Sequence, residues 1–368
     1  MYPQDEKILE DIVLTRNLSE RTEILYKQII EKYTQYHQKP LTELIKEAEI
    51  EEEQRIRWKN RKLRKRLITF RNYLYDTYMT STAKMNYSKI LTIYRHYEIE
   101  LQPLPPISEK QTPKTIIQFK DLPNKEIIGK ALKLANPVHS SLILFMTSTG
   151  ASMIDSLNLK IEDLLFSVEE YYKTDDVYKM IDELKDKDNI IPMFKIKRNK
   201  TGKVYYTFCT NEAFKSICFY LLKRKSLRIS DRLFKITQLH AMQLFREVND
   251  LLGLGTVGES GYVRFRSHML RKFHASALYN DGMSMDDVNA LQGKSKNKTD
   301  SSYFMEDPYK LKLSYMSHMD CLIIGGDVNV VFDSYSDLLK RVSELEDIVN
   351  SYVGNDTLKI IKDFIDDD

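Results

Sequence analysis

Apolar residues recur at helical spacing through most of the chain and alternate in one place. Ser19 stands where a helix begins, and Ile24, Leu25, Ile29, Ile30 and Tyr33 then form a stripe. A second helix is predicted over 41–50. A third carries Ile56, Trp58, Leu63, Leu67, Phe70 and Leu74 on one side, and Arg55, Arg57, Lys59, Arg61, Lys62, Arg64, Lys65, Arg66 and Arg71 around the rest. A fourth starts at 81–83 and bears Lys84, Lys89 and Arg95 beside Tyr87, Tyr94 and Tyr97. The next stretch, 102–114, holds Pro103, Pro105, Pro106 and Pro113. Proline removes a donor and fixes φ, so this stretch reads as a stiff linker.

Past the linker the pattern is again mostly helical. An apolar helix over 140–148 breaks at Thr149-Gly150, and a short helical piece follows over 152–159. Residues 189–207 alternate around Thr201-Gly202, the signature of a β-hairpin. Helices are predicted over 213–224 and 230–252, then a loop with Gly253, Gly255, Gly258 and Gly261. Met269, Leu270, Phe273, Ala277 and Leu278 mark a further helix, closed by Asp281-Gly282. A short one, Met285–Leu291, ends at Gly293-Lys294. Residues 321–324 are strand-like. The acidic stretch at the end carries Leu338, Val342, Leu345 and Val349, a short heptad that suits a subunit-contact helix and a helix docked on its own domain equally well. The whole predicts a mainly α (α+β) protein: a helical domain over 1–101, a linker over 102–114, a mostly helical second domain with a small β-hairpin over 115–325, and an acidic helical tail over 326–368.

Composition narrows the class. With 368 residues the chain has room for two domains. Its 42% hydrophobic and 30% charged residues fit a globular protein. A net charge of +3 does not mark a nucleic-acid binder, so the distribution of cations has to carry that question. The cations of the third and fourth helices suit a phosphate backbone, although a charge run next to Glu51, Glu52 and Glu53 is more usually a solvated charged face. Cys209, Cys218 and Cys321 show no Cys-x-x-Cys spacing, so no zinc site or disulfide framework is expected, and a reducing cytoplasm is. No apolar run reaches about 18 residues, and the first residues lack a signal sequence, so no membrane association is expected.

The candidate chemistry lies in 264–303. His268 and Arg271 are three apart and share a helix face. Lys294 follows, and Tyr303 stands nine residues beyond it. A forked guanidinium holds two phosphate oxygens, an imidazole or ammonium holds charge or moves protons, and a phenol can act as nucleophile. No thiol, acidic pair or metal cluster competes for the role. His-x-x-Arg is common on helices, and one tyrosine among 23 says little. Together these side-chain types suggest attack on a phosphodiester by tyrosine, with Tyr309 and Tyr315 as rival nucleophiles.

This arrangement resembles the tyrosine recombinases, the phage-integrase family. Their pattern is His-x-Leu-Arg on a helix, then Leu-Gly-His, then a Ser/Thr-rich segment before the nucleophilic tyrosine. Here it reads His268-Met269-Leu270-Arg271, Gln292-Gly293-Lys294, and Thr299 to Tyr303. The continuation SYFMEDPYKLKLSYM is most similar to archaeal members.

The resemblance implies that residues 1–101 form a core-binding (SAM-like) domain clamping double-stranded DNA, with Arg61, Arg64, Lys65, Lys84 and Lys89 as contacts and Arg264 and Arg266 adding others. It implies Tyr303, Arg271, His268, Lys200 and Lys294 as the catalytic set, with Lys200 on the hairpin as general acid. It also implies a 3′-phosphotyrosyl intermediate, no cofactor and no metal, and self-association as a dimer or tetramer on DNA.

One position departs from the pattern. The family's first arginine, in Thr-Gly-x-Arg, is met here by Thr149-Gly150-Ala151-Ser152 between matching flanks. A serine donates one neutral hydrogen bond and does not replace a bidentate cation. Lys294, in the family's usual His or Trp place, adds a charge, and Arg264 or Arg266 are further candidates to compensate. The alternatives are a relative that only binds DNA, a type IB topoisomerase-like relaxing enzyme, and an unrelated helical scaffold.

Overall fold

The computed structural model describes residues 1–107, 117–257, 261–294 and 307–325. The chain divides into two compact units, Met1–Ile116 and Ile117–Asp368. The Tyr303 and Gly258 positions, Pro113 and the heptad of the tail lie outside the described residues.

The first unit consists of helices α1 (Glu6–Arg16), α2 (Glu20–His37), α3 (Leu41–Glu53), α4 (Lys62–Thr77) and α5 (Thr80–His96). Its core gathers Ile30, Tyr33, Leu67, Phe70, Leu74, Ile90 and Tyr94, all fully buried. The hydroxyls of Tyr33 and Tyr94 satisfy each other at 2.9 Å, as buried phenols need to. The third predicted helix starts later than its charge pattern suggests. Arg55 adopts a left-handed φ of 50°, and Ile56 N–H returns to Glu51 O at 3.0 Å, which closes α3. The Glu51 carboxylate then accepts from Lys62 N–H at 2.7 Å and Leu63 N–H at 3.3 Å. A side chain from the preceding helix therefore caps α4, and residues 55–61 are an elbow.

The second unit is built on α7 (Pro137–Thr149), buried from His139 to its end. A helix apolar on all sides belongs inside a core. Pro137 occupies its first turn, and the Asn136 side chain caps it by accepting from His139 N–H at 2.9 Å. Around it lie α6 (Lys125–Leu134), α8 (Met153–Asn158), α9 (Ile161–Ser167), α10 (Val177–Leu184), α11 (Asn211–Leu222), α12 (Gln238–Leu251), α13 (Ser267–Asn280), α14 (Met285–Leu291) and α15 (Pro308–His318).

The expected hairpin is present: β1 (Met193–Lys197) pairs antiparallel with β2 (Val204–Phe208), Met193 opposite Phe208 and Lys197 opposite Val204. The glycine-rich loop holds a second, minimal pair, β3 (Thr256–Val257) and β4 (Tyr262–Val263). The fold is mostly helical with small two-stranded sheets, as the periodicity predicts.

Two elements differ from expectation. The helix predicted over 230–252 begins only at Gln238, because Thr237 Oγ1 caps it, accepting from His240 N–H at 3.2 Å. The preceding loop is held by Arg224, which pairs with Asp231 at 3.3 Å and donates to Arg232 O at 3.0 Å. The strand-like run at 321–324 forms instead a 3₁₀ turn, Met319–Leu322, that buries Leu322. Strand formation needs a partner edge, and no strand pairs with it among the described residues. Among those residues, no helix is long and apolar enough to cross a membrane.

Candidate functional site

The site forms where α7 ends. Gly150 closes that helix at φ 63°, and a Cβ there would lie 2.4 Å from His274 Nδ1. Backbone and packing both exclude a side chain. His274 and Arg271 lie one turn apart on α13, and both are buried. Arg271 Nη1 donates to Gly150 O, and Nη2 donates to Gln292 O at 2.5 Å. Gln292 Nε2 donates back to Arg271 O at 2.9 Å and to His274 Nδ1 at 3.2 Å. One guanidinium thus ties the end of α7 to the end of α14. Burial lowers the Arg271 pKa, and repulsion from Arg198 acts in the same direction.

The β1–β2 hairpin is clamped onto the same turn. Gly293 has φ 59°, and a Cβ on it would lie 2.5 Å from Cδ1 of the Tyr205 ring. Tyr205 of β2 therefore lies against bare backbone. Arg198 Nη1 donates to Gly293 O at 2.8 Å, and Lys203 Nζ donates to Lys294 O at 3.2 Å. From the other side, Asn199 N–H donates to Asp155 Oδ1 at 2.8 Å, and Ser152 Oγ donates to Asp155 Oδ2 at 2.7 Å. Lys200, exposed at the tip, sits on a turn gripped at both ends.

His268 stands exposed at the start of α13, yet its pKa is lowered, first by partial burial and then by Lys272, Arg266, Arg271 and Lys294. The Lys294 pKa is lowered by burial, with Arg271 and Arg198 adding repulsion. Arg271 and Lys294 therefore belong to one cationic cluster that His268 adjoins.

Asp155 is the residue that reading the sequence missed. Its signal was the Ser-x-x-Asp spacing at a helix start, Ser152 to Asp155. Among the described residues no group of three or more side chains is arranged to hold a metal.

The other predicted residues fall into three groups. Tyr315 is fully buried and donates its hydroxyl to Ser148 O at 3.0 Å, so it is not a rival nucleophile. Tyr309 is exposed in the first turn of α15. Arg61 corrects the expectation of a DNA contact: it is buried, Nε donates to Ile56 O at 3.0 Å, and Nη1 pairs with Glu52 at 3.1 Å. Lys65 and Lys84 are exposed, and Arg64 and Lys89 half-buried. Arg264 donates to Lys120 O at 2.5 Å and Asp121 O at 3.2 Å. Arg266 donates to Val263 O and lies over the Tyr262 ring, 5.2 Å from its centroid. These two guanidinium groups hold loops together.

The profile of the phage integrase family matches residues 124–308, half of the 368-residue chain. The chain belongs to the phage integrase family. As a tyrosine recombinase it is a DNA strand-breaking and rejoining enzyme. Among solved structures it is similar to XerH site-specific recombinase bound to palindromic difH substrate in a post-cleavage complex, at 16% identity, covering 84% of this chain and 82% of that one, with a TM-score of 0.50. It is also similar to a lambda integrase (75–356) dimer bound to a COC′ core site, at 14% identity, covering 82% of this chain and 98% of that one, again with a TM-score of 0.50. At such identities the likeness speaks for a shared fold. No curated protein matches the sequence.

Proposed function

We propose that this integrase-family chain is a site-specific recombinase in which Tyr303 attacks a scissile phosphate of double-stranded DNA. The phenol oxygen would bond to phosphorus as the 5′ oxygen leaves, giving a 3′-phosphotyrosyl bond and a free 5′ hydroxyl. That hydroxyl then attacks a partner phosphotyrosine, so bond energy is conserved and neither ATP nor a metal is needed. Arg271 and His268 are assigned to stabilising the pentavalent phosphate. Lys200 is assigned to protonate the leaving oxygen, and Lys294 to add charge.

The observation that carries this reading is the buried Arg271, which joins α7 to α14 at the turn where the Lys200 hairpin is clamped. Segments far apart in the chain thereby meet around a guanidinium that has N–H groups left over for an anion.

The domain reading belongs to the same proposal: 1–101 as a DNA-clamping unit through Arg64, Lys65, Lys84 and Lys89, a linker over 102–114, and 115–325 as the catalytic unit. So does self-association on DNA, as in the dimeric lambda integrase complex. An archaeal-type integrase acting on cytoplasmic DNA fits the motif of 302–316.

A second reading, a relative that binds DNA without cutting it, draws on Ser152. Its hydroxyl caps α8 and donates to Asp155, so it is engaged away from any phosphate.

Covalent capture decides between them. The chain is incubated with nicked duplexes from a random-sequence pool, and adducts are recovered after denaturation. Wild type is expected to retain DNA, and Tyr303→Phe to retain none while its gel-shift affinity stays within about threefold. Wild type that shifts DNA but forms no adduct would overturn the recombinase reading.

A further inference from the structure

If Tyr303 attacks a phosphodiester, the trigonal-bipyramidal phosphorus carries more negative charge than the ground state, and cations aimed at it dominate the rate. Ser152, where the resembled pattern has a guanidinium, carries no charge and has its hydroxyl on Asp155. We propose that Arg198, on the hairpin, supplies the second guanidinium and binds the scissile phosphate together with Arg271. This rests on the recombinase reading above.

The geometry converges on one turn. Arg271 donates to Gln292 O at 2.5 Å and Arg198 donates to Gly293 O at 2.8 Å. Two guanidinium groups are therefore anchored on consecutive carbonyls, one reaching in from α13 and the other from the hairpin. Lys294 is the next residue. Among the described residues none of these three cations pairs with a carboxylate. The nearby carboxylate of Asp155 accepts from Ser152 Oγ and Asn199 N–H instead.

Burial lowers the pKa of Lys294, and the like charges of Arg271 and Arg198 beside it add repulsion in the same direction. Such a cluster is stabilised by an anion that accepts from several of its members at once. Arg198 is half-buried, and its bond to Gly293 engages one N–H of five, which leaves the rest of the fork for phosphate oxygens. The other two candidates to compensate are engaged elsewhere: Arg264 on the carbonyls of Lys120 and Asp121, and Arg266 on Val263 O and the Tyr262 ring.

The test uses full-length chain and a nicked duplex selected from the random pool by wild type. One version carries the ordinary scissile phosphate. The other carries a methylphosphonate there, with one non-bridging oxygen replaced by a methyl group and no charge. Arg198→Gln keeps a donor for Gly293 O and removes the charge, and Arg198→Lys keeps a charge without the fork.

On the ordinary phosphate, Arg198→Gln is expected to slow adduct formation by about 10²–10³-fold, the scale set by one transition-state donor. Arg198→Lys should fall between it and wild type. On methylphosphonate the gap between wild type and Arg198→Gln should shrink to within about tenfold, because the missing charge no longer matters. Wild-type rates from Arg198→Gln on phosphate, or equal losses on both substrates, would show that Arg198 only holds the hairpin. A wild-type chain that forms no adduct removes the recombinase reading and this inference with it. A wild-type adduct that Arg198→Gln leaves unchanged removes the inference alone.

Discussion

Single residues in this site are set by how closely backbones approach. Gly150 and Gly293 both have positive φ, and each meets a ring, of His274 and Tyr205 respectively, where a Cβ would stand. Gly150→Ala therefore combines an unfavourable backbone with a clash inside a packed core. A loss of roughly 2–4 kcal/mol is expected from those two terms. Urea unfolding measures it, and a midpoint close to wild type would mean that His274 moves aside freely. At this scale the sequence was partly legible. His268, Arg271 and Lys294 stood out by spacing. Arg61 was misread because its partner, Glu52, lies nine residues back on another helix, and a run of cations does not display its counter-ions. Asp155 was overlooked because its hydrogen-bond partner, Asn199, is 44 residues away.

Among elements, the hairpin matters most. Its alternation and its Thr201-Gly202 turn made it legible, since both are local. What holds its tip is not: Asp155 on one side, and the Gly293 and Lys294 carbonyls on the other. Asp155→Ala should release the tip without unfolding the strands. Amide exchange at Asn199 is expected to rise by at least tenfold, while exchange within β1 and β2 changes little. Unchanged protection at Asn199 would show that the carboxylate does not restrain the turn. The helix starts argue the same point. Thr237 caps α12 from its own sequence neighbourhood, whereas α4 is capped by Glu51 from the preceding helix.

Across the whole molecule, buried histidines couple stability to pH. His139 is fully buried with both ring nitrogens unpartnered beside Phe245, and burial lowers its pKa from 6.5 to about 4, with His240 adding to the shift. His274 is lowered to about 3 by burial, then by Arg271 and Lys294. Well above pH 6.5 both rings are neutral in the folded and unfolded chain, and they contribute no pH dependence. As the pH falls from 6.5 towards 4, the unfolded chain takes up protons that the folded one refuses, so stability declines. The slope is at most about 1.4 kcal/mol per pH unit for each histidine. Urea unfolding between pH 7 and 4 should show the decline, and His139→Leu should make it shallower. An identical slope in that variant would mean that His139 is protonated in the fold.

The sequence by itself determined most classes of element, and the order of imidazole, guanidinium, ammonium and phenol. These depend on side chains a few positions apart, which the chain brings together whatever else it does. Only the tertiary structure decided which cations are engaged and which are left for an anion. Arg61 and Arg264 are bound to carbonyl oxygens, Arg61 also to a carboxylate, while Arg271 and Arg198 meet at one turn from positions 271 and 198. A charge is free or taken according to partners tens of residues away, and neither local periodicity nor local composition carries that information.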